Sequence, residues 1–206
     1  MNHTNQSGRS MIEMLGVLAI IGVLSVGGIA GYSKAMMKFK INKSIDQISQ
    51  IVANTRTLYA RQKNYANISN KIMYKANLAP REMFEDGSGS YYATNAFGGG
   101  VEIFPIGTRF YAENETNKGF TVGYYGLPDE ACIELATQDW GSDTSSGLLS
   151  VGINTGSAWV GCQGQNYGNP LACPGGSDIS IPMPVDIAVD ACDCGYSGCD
   201  LYFSYR

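Results

Sequence analysis

Histidine is almost absent from this sequence, since His3 is the only one among 206 residues. Ser-His-Asp and Cys-His catalysis both require an imidazole, and imidazole is also a common ligand of catalytic zinc. The sequence likewise contains no G-x-S-x-G motif and no phosphate-binding loop, so the hydrolases and nucleotide-binding enzymes that use them are excluded. We therefore predict that the chain is not an enzyme and that it carries no cofactor and no metal.

Proline is also missing from the whole segment before Pro80, and nothing there forbids a long helix. Apolar side chains recur in this segment at alternating steps of four and three, which is the spacing of one helical face. That face comprises Ile41, Ile45, Ile48, Val52, Thr55 and Tyr59, widened by Ile51 and Leu58. The pattern predicts one helix from about Ser10 to about Gln62, with an amphipathic second half that packs on a β-sheet.

Charge is absent from the stretch between Met14 and Ala30. A membrane-spanning helix needs about 20 apolar residues, and the segment from Met11 to Tyr32 comes close to that length. A plain membrane anchor and a secretory signal peptide cleaved near Gly31 are two interpretations of this segment. Neither explains Glu13, because a carboxylate at the edge of an apolar span is costly; a charged residue at the centre of a membrane helix costs about 2.5–3.5 kcal/mol.

The residues around Glu13 suggest a third interpretation. Gly8 is followed by four residues and then Glu13, and the apolar helix starts directly after this carboxylate. This arrangement resembles the prepilin-type N-terminal methylation motif of type IV pilins and of the related pseudopilins. The resemblance implies that prepilin peptidase cuts after Gly8, and that Arg9 becomes the methylated first residue of the mature chain.

The same resemblance implies that Glu13 directs assembly. Its carboxylate is expected to pair with the new α-amino group at Arg9 of a neighbouring subunit, because a buried charge without a partner is heavily penalised. A glutamate that only faces lipid headgroups is the alternative. The apolar helix is expected to form the filament core, and the residues that we assign to this core are Met14, Leu15, Leu18, Ile21, Gly27 and Gly28.

From the resemblance we expect three segments in this chain: a leader peptide at residues 1–8, a transmembrane and filament-core helix at 9–32, and a globular domain at 33–206. Before assembly, the subunit is expected to cross the bacterial inner membrane once, with its domain in the periplasm. After assembly it is expected to belong to an extracellular pilus. Its implied partners are membrane lipid, prepilin peptidase, the inner-membrane assembly platform and further copies of itself in a helical filament. The net charge of −4 disfavours nucleic acid.

The rest of the sequence predicts an α+β fold. Residues 64–118 are read as irregular, with Gly87 to Ser90 and Gly98 to Gly100 as turn signals. Later segments have the alternation and β-branched or aromatic content of short strands, namely 120–125, 148–153, 158–160 and 201–205. A short helix is predicted from Glu130 to Gln138, with Asp129 as its N-cap. This order is similar to that of type IVb pilins, in which a long helix packs on an antiparallel sheet and disulfides close the C-terminal region.

Cysteine does not occur before Cys132, and all six cysteines follow in the loop-rich half. An even number in such a region indicates disulfides and an oxidising compartment. The resemblance suggests that Cys132 bridges to Cys192, with local bridges between Cys162 and Cys173 and between Cys194 and Cys199, among 15 possible connectivities. Zinc bound by the last three cysteines is an alternative, and so is calcium bound by the late aspartates, which are Asp178, Asp186, Asp190, Asp193 and Asp200.

Three functions are compatible with these observations. The first is a major pilin, the structural subunit of a type IV pilus used for adhesion, aggregation or motility. The second is a minor pilin or a type II secretion pseudopilin, which would use the same helix in a shorter assembly. The third is a membrane-anchored periplasmic binding protein or enzyme, against which the scarcity of histidine and the position of Glu13 both argue.

Overall fold

The computed structural model describes residues 11–62, 64–85, 91–106, 117–141, 146–154, 159–160 and 181–206, with only the backbone described at 159–160. The chain divides into two compact units, Met1–Phe39 and Lys40–Arg206. Helix α1 runs from Met11–Tyr59 without interruption, so it begins in the first unit and ends in the second. The long helix predicted from the absence of proline and the apolar spacing is therefore confirmed, and its C-terminal end lies three residues before the predicted one.

The second unit contains an antiparallel sheet of six strands in the order β1-β2-β3-β6-β4-β5. The strands are β1 Ala93–Thr94, β2 Gly100–Pro105, β3 Phe120–Leu127, β4 Leu148–Asn154, β5 Trp159–Val160 and β6 Cys199–Tyr205. The last strand in the sequence thus lies between β3 and β4. Phe203 on β6 pairs with Val122 on one side and Val151 on the other. Because residues paired across strands point to the same face, these side chains form a continuous apolar row.

The second half of α1 packs against the core that this row belongs to. Ile48 and Ile51 are fully buried, and Val52, Thr55 and Tyr59 are buried with them. The prediction for Leu58 is wrong, because 43% of that residue is exposed. In the last turn of α1, Tyr59 takes the core-facing position and stacks on Tyr65, with 4.9 Å between ring centroids. Leu58, which directly precedes Tyr59, therefore points about 100° away from the core.

Residues 64–118 are more regular than the sequence suggested, and that prediction is wrong. They contain α2 (Asn70–Lys75), a 3-10 turn at Arg81–Met83, and strands β1 and β2. The glycines before β2 serve a tight turn between these two strands. The Asn95 side-chain oxygen accepts hydrogen bonds from the backbone N–H groups of Phe97 (2.9 Å) and Gly99 (3.1 Å). An added Cβ at Gly99 would lie 1.8 Å from a backbone oxygen of β3, so the turn requires glycine there.

Two further helices complete the fold of the second unit. Helix α3 spans Asp129–Thr137, one residue earlier than predicted, and Pro128 rather than Asp129 is its N-cap. Helix α4 spans Val185–Ala191 and was not predicted. Trp140 follows α3, donates a hydrogen bond from Nε1 to the Leu135 carbonyl oxygen (2.7 Å), and packs its ring 4.8 Å from that of Phe203. This contact ties α3 to the core face of β6.

Candidate assembly surface

The first unit presents an uncovered apolar helix. Every residue from Met11 to Ala35 is exposed, and the assigned core residues Met14, Leu15, Leu18 and Ile21 are between 48% and 64% exposed. Helix α1 is long and apolar enough to cross a membrane, and no residue of its most apolar part is buried. A continuous apolar surface of this kind indicates contact with lipid or with another protein.

Glu13 is the acidic residue of the first turn of α1, and it is exposed. A carboxylate near a helix N-terminus is stabilised by the helix dipole, typically by 0.3–1 kcal/mol. One face of this helix contains residues that follow one another at steps of seven, seven and four, namely Glu13, Ile20, Gly27 and Gly31. The predicted cleavage site, Gly8 and Arg9, lies outside the described residues.

The glycines of the apolar segment are not required by packing within the described part of the chain. An added Cβ at Gly27 or Gly28 would meet nothing within 4 Å, and the same is true of Gly16, Gly22 and Gly31. Helix α1 continues through both Gly27 and Gly28, although each glycine costs about 1 kcal/mol of helix stability relative to alanine. Small residues on a lipid-exposed helix permit a second helix to approach closely, so this surface has room for one.

Two disulfides lie close to the C-terminal end of α4. Cys132 on α3 is bonded to Cys192, directly after α4, with a Cα–Cα distance of 5.8 Å and a sequence separation of 60. Cys194 is bonded to Cys199, the first residue of β6, with a Cα–Cα distance of 5.2 Å. The expected bridge between Cys162 and Cys173 lies outside the described residues. The structure thus gives the long bridge and the last local bridge that the resemblance suggested.

Three of these sulfur atoms form a compact group that resembles a metal site. The Sγ atoms of Cys132, Cys192 and Cys199 lie within 4.8 Å of one another. Zinc, however, binds cysteine as a free thiolate, and each of these three atoms is engaged in a disulfide. The geometry of this group therefore fits two neighbouring disulfides and does not fit zinc.

The late aspartates do not converge on one point. Asp186, Asp190 and Asp193 are exposed on or beside α4, whereas Asp200 is half-buried on β6 and accepts a hydrogen bond from the backbone N–H of Gly126 (3.2 Å). Burial raises the pKa of Asp200, and this hydrogen bond lowers it to a smaller extent. Asp178 lies outside the described residues. Among the described residues, the other four aspartates do not form a group that could hold a cation.

Comparison with known proteins identifies the chain. The PilS N-terminal family model matches residues 28–168. Major structural subunits of the bundle-forming pilus are similar to it: one from Escherichia coli O111:H- is 26% identical over 157 residues, covering 76% of this chain and 75% of the relative. Another, from Escherichia coli O127:H6, is 27% identical over 142 residues and 69% of each chain. The predicted class, a type IV pilin, is confirmed.

Among solved structures, a type IVb pilin from Salmonella typhi has 20% identity and a TM-score of 0.48, covering 82% of this chain and 99% of that one. TcpA, a type IV pilin from Vibrio cholerae, has 15% identity and a TM-score of 0.46, covering 81% and 99%. The family model matches more than half of the residues of this chain, so the chain belongs to the PilS family. The match begins after Glu13, so the processing and assembly residues are not part of it.

Proposed function

We propose that this chain is the major structural subunit of a type IV pilus. Before assembly, residues 9–32 anchor the subunit in the inner membrane, and residues 33–206 lie in the periplasm. It then leaves the membrane and enters an extracellular filament through the same helix. The exposed apolar surface of α1 carries this proposal, because the lipid around it before assembly and neighbouring helices after assembly both remove that surface from water.

Processing at Gly8 is the first step of the proposed pathway. Prepilin peptidase removes residues 1–8 and methylates Arg9, which supplies a cationic α-amino group at the start of the mature helix. Edman sequencing and intact-mass measurement of the membrane-held subunit test this step. The expected N-terminus is a methylated Arg9. An N-terminus at Met1, or one near Gly31, would contradict it and would instead support an uncleaved anchor or a secretory signal peptide.

Glu13 is proposed to set the register of subunits in the filament. In an apolar filament core, its carboxylate is stabilised by the Arg9 amino group of a neighbour, and any stagger that separates the two leaves both charges without a partner. Glu13→Gln should therefore preserve membrane insertion and strongly reduce assembly. The measurement compares membrane-held subunit with sheared filament on immunoblots.

A matched control is available on the same helix. Asp46 is also an exposed carboxylate of α1, but it lies beyond the apolar segment. Asp46→Asn removes one negative charge in the same way and should leave filament yield unchanged. Equal yields from the Glu13 and Asp46 variants would refute the register role of Glu13 without affecting the assignment of the chain as a pilin.

Abundance distinguishes the major subunit from a minor pilin or a type II secretion pseudopilin. A major subunit dominates the protein content of filaments sheared from the cell surface, whereas a minor subunit or pseudopilin is a trace component. The two Escherichia coli relatives reported above are named as major subunits, which favours the major subunit. Quantitative mass spectrometry of sheared filaments is the deciding measurement, and a trace amount of this chain would support the second. No enzymatic activity is part of this proposal.

A further inference from the structure

A group of lysines follows the apolar segment of α1 directly, namely Lys34, Lys38, Lys40 and Lys43, and no aspartate or glutamate lies between Glu13 and this group. Before the apolar segment, Arg9 is the only lysine or arginine. Membrane helices ordinarily keep the flank that is richer in lysine and arginine in the cytoplasm. The orientation proposed above places the lysine-rich flank in the periplasm, so membrane insertion does not account for these lysines.

Two of the four lysines have partners within the second unit. Lys43 Nζ lies 2.9 Å from Glu82 Oε1, and Lys40 Nζ lies 5.6 Å from the centroid of the Phe97 ring. Lys34 and Lys38 belong instead to the first unit, and both are exposed. They are four residues apart on α1, so they lie on the same side of this helix.

The position of Lys34 and Lys38 along α1 matches the depth of lipid headgroups. Residues 11–32 are continuously helical and span about 33 Å, close to the hydrocarbon thickness of a bilayer at about 30 Å. Lys34 and Lys38 follow Tyr32 by about 3 and 9 Å along the axis, and the headgroup layer is about 5–8 Å thick. Helical side chains tilt towards the N-terminus of their helix, which for these two lysines is the direction of the membrane.

Two exposed aromatic side chains lie at the same level of the helix. Tyr32 is 68% exposed and Phe39 is 60% exposed. They are seven residues apart and therefore share one side of α1, whereas Lys34 follows Tyr32 by about 200° around the helix axis. Tyrosine is enriched where membrane helices leave the hydrocarbon. We call this ring of residues the interfacial collar, consisting of Tyr32, Lys34, Lys38 and Phe39.

Given the membrane-anchored subunit proposed above, on which this inference rests, we propose that the interfacial collar binds anionic lipid headgroups of the periplasmic leaflet before assembly. The ammonium groups of Lys34 and Lys38 pair with the phosphates of these lipids, and each basic side chain near an anionic membrane surface adds to the attraction. Tyr32 and Phe39 place aromatic rings at the boundary of the hydrocarbon. The contact fixes the depth of the subunit in the membrane, and entry into the filament requires that it be broken.

Lipid selectivity of the full-length protein tests this binding. The protein is reconstituted into phosphatidylcholine vesicles that contain a trace of spin-labelled phosphatidylglycerol or spin-labelled phosphatidylcholine. Electron paramagnetic resonance then gives the fraction of each label that the protein immobilises. Wild-type protein should favour phosphatidylglycerol by roughly threefold or more at low salt, because two lysines attract the anionic headgroup. Salt at 0.5 M should weaken this preference, since it screens exposed charges.

Matched variants separate the collar from net charge. Lys34→Gln with Lys38→Gln should abolish most of the preference, whereas Lys34→Arg with Lys38→Arg should retain it. Lys71→Gln with Lys75→Gln removes the same charge from exposed positions of α2 and should leave the preference unchanged. Glutamine and arginine are both good helix formers, and equal immobilisation of labelled phosphatidylcholine should show that α1 still enters the bilayer in every variant.

The possible failures are distinguishable. Equal immobilisation of the two labels by wild-type protein would overturn the inference, as would an unchanged preference in the Lys34 and Lys38 glutamine variant. A glutamine variant with unchanged lipid preference and reduced filament yield would show that the lysines contact a neighbouring subunit instead. Immobilisation of neither label would mean that α1 does not enter the bilayer, which refutes the membrane anchor of the proposed function together with this inference. Normal lipid selectivity in a chain that never appears in filaments would refute the pilus-subunit function and leave the lipid contact standing.

Discussion

The same residue type has opposite surroundings in the two halves of α1. Ile21 in the first unit is 53% exposed, whereas Ile48 in the second unit is fully buried. Both belong to one uninterrupted helix, so local conformation does not account for the difference. It arises because the sheet covers the second half, whereas no described part of this chain covers the residues before Ala35. One helix therefore combines a segment stabilised within the subunit with a segment that requires an external partner.

We expect the largest effect from deleting residues 1–32, which removes most of the exposed half of α1 and leaves the buried half. The truncated chain loses the exposed apolar segment and should not polymerise, while the buried stripe from Ile41 to Tyr59 remains to cover the sheet. We expect a folded, soluble monomer by light scattering and circular dichroism. Filaments from this truncation would contradict the division between the two halves, as would an unfolded chain with intact disulfides.

Removing the long disulfide should destabilise only the second unit. Replacing Cys132 and Cys192 together by serine opens a bridge with a sequence separation of 60, and the chain-entropy model gives about 4 kcal/mol for such a loop. Urea denaturation of the full chain in detergent, followed by tyrosine and tryptophan fluorescence, measures the loss in the free energy of unfolding. An unchanged midpoint would show that packing of α3 and α4 alone suffices. Thiol labelling of the unreduced wild-type protein should find both cysteines blocked.

Two isoleucine substitutions test the difference between the exposed and the buried half of α1 directly. Ile48→Ala creates a cavity in the core and should lower the free energy of unfolding by about 3 kcal/mol. Ile21→Ala, the matched variant in the exposed half, should leave urea denaturation in detergent unchanged and should reduce filament yield. The reverse result, an unfolding effect from Ile21→Ala and none from Ile48→Ala, would show that the assignment of the two halves is wrong.

The smallest expected effect concerns Asp200. Because burial raises its pKa above the ordinary value of 3.8, the native state binds this proton more tightly than the unfolded chain does. Its contribution to stability is therefore fully present below the unfolded pKa and is lost as pH rises through the folded pKa. Asp200→Asn keeps an oxygen acceptor for Gly126 and removes the charge. Thermal unfolding should show the variant slightly more stable than wild type at pH 7, with the difference disappearing near pH 3.

The sequence predicted those elements whose pattern is local and strong. Helix α1 follows from the absence of proline and from apolar periodicity, and β3, β4 and β6 follow from β-branched and aromatic runs. Strand β2 was missed because Gly98, Gly99 and Gly100 resemble a loop. Their role becomes visible only when Tyr125 approaches Gly99 from β3. Such a contact joins residues far apart in the sequence, and spacing alone does not reveal it.

The polar positions on the buried face of α1 were missed for a similar reason. Ser44 and Gln47 are buried, although the apolar stripe alone did not include them. In the described part of the chain, Ser44 Oγ and Gln47 Oε1 have no hydrogen-bond partner. Whether a polar residue beside an apolar stripe is covered depends on the width of the sheet packed against it, which is a tertiary property.

The candidate assembly surface was predictable to a different extent. Glu13 and the apolar segment are recognisable because a carboxylate at the start of an uncharged run is unusual. Helix α4 is not recognisable in this way, because it is short and its residues have no strong sequence pattern. It is attached to α3 by the Cys132–Cys192 disulfide, a contact between residues far apart in the sequence.

The central position of β6 constrains the biosynthesis of this subunit. Strands β1, β2 and β3 form one part of the sheet and β4 and β5 another, and β6 is the strand that joins them. Phe120 pairs with Tyr205 across about half of the second unit's sequence, and pairing over such separations is slow to form. During synthesis, the sheet therefore stays divided until Cys199–Tyr205 is available for pairing. Until then the two incomplete parts expose unpaired strand edges, which are prone to aggregation, and we expect a nascent chain stalled before Cys199 to be cleared by proteases.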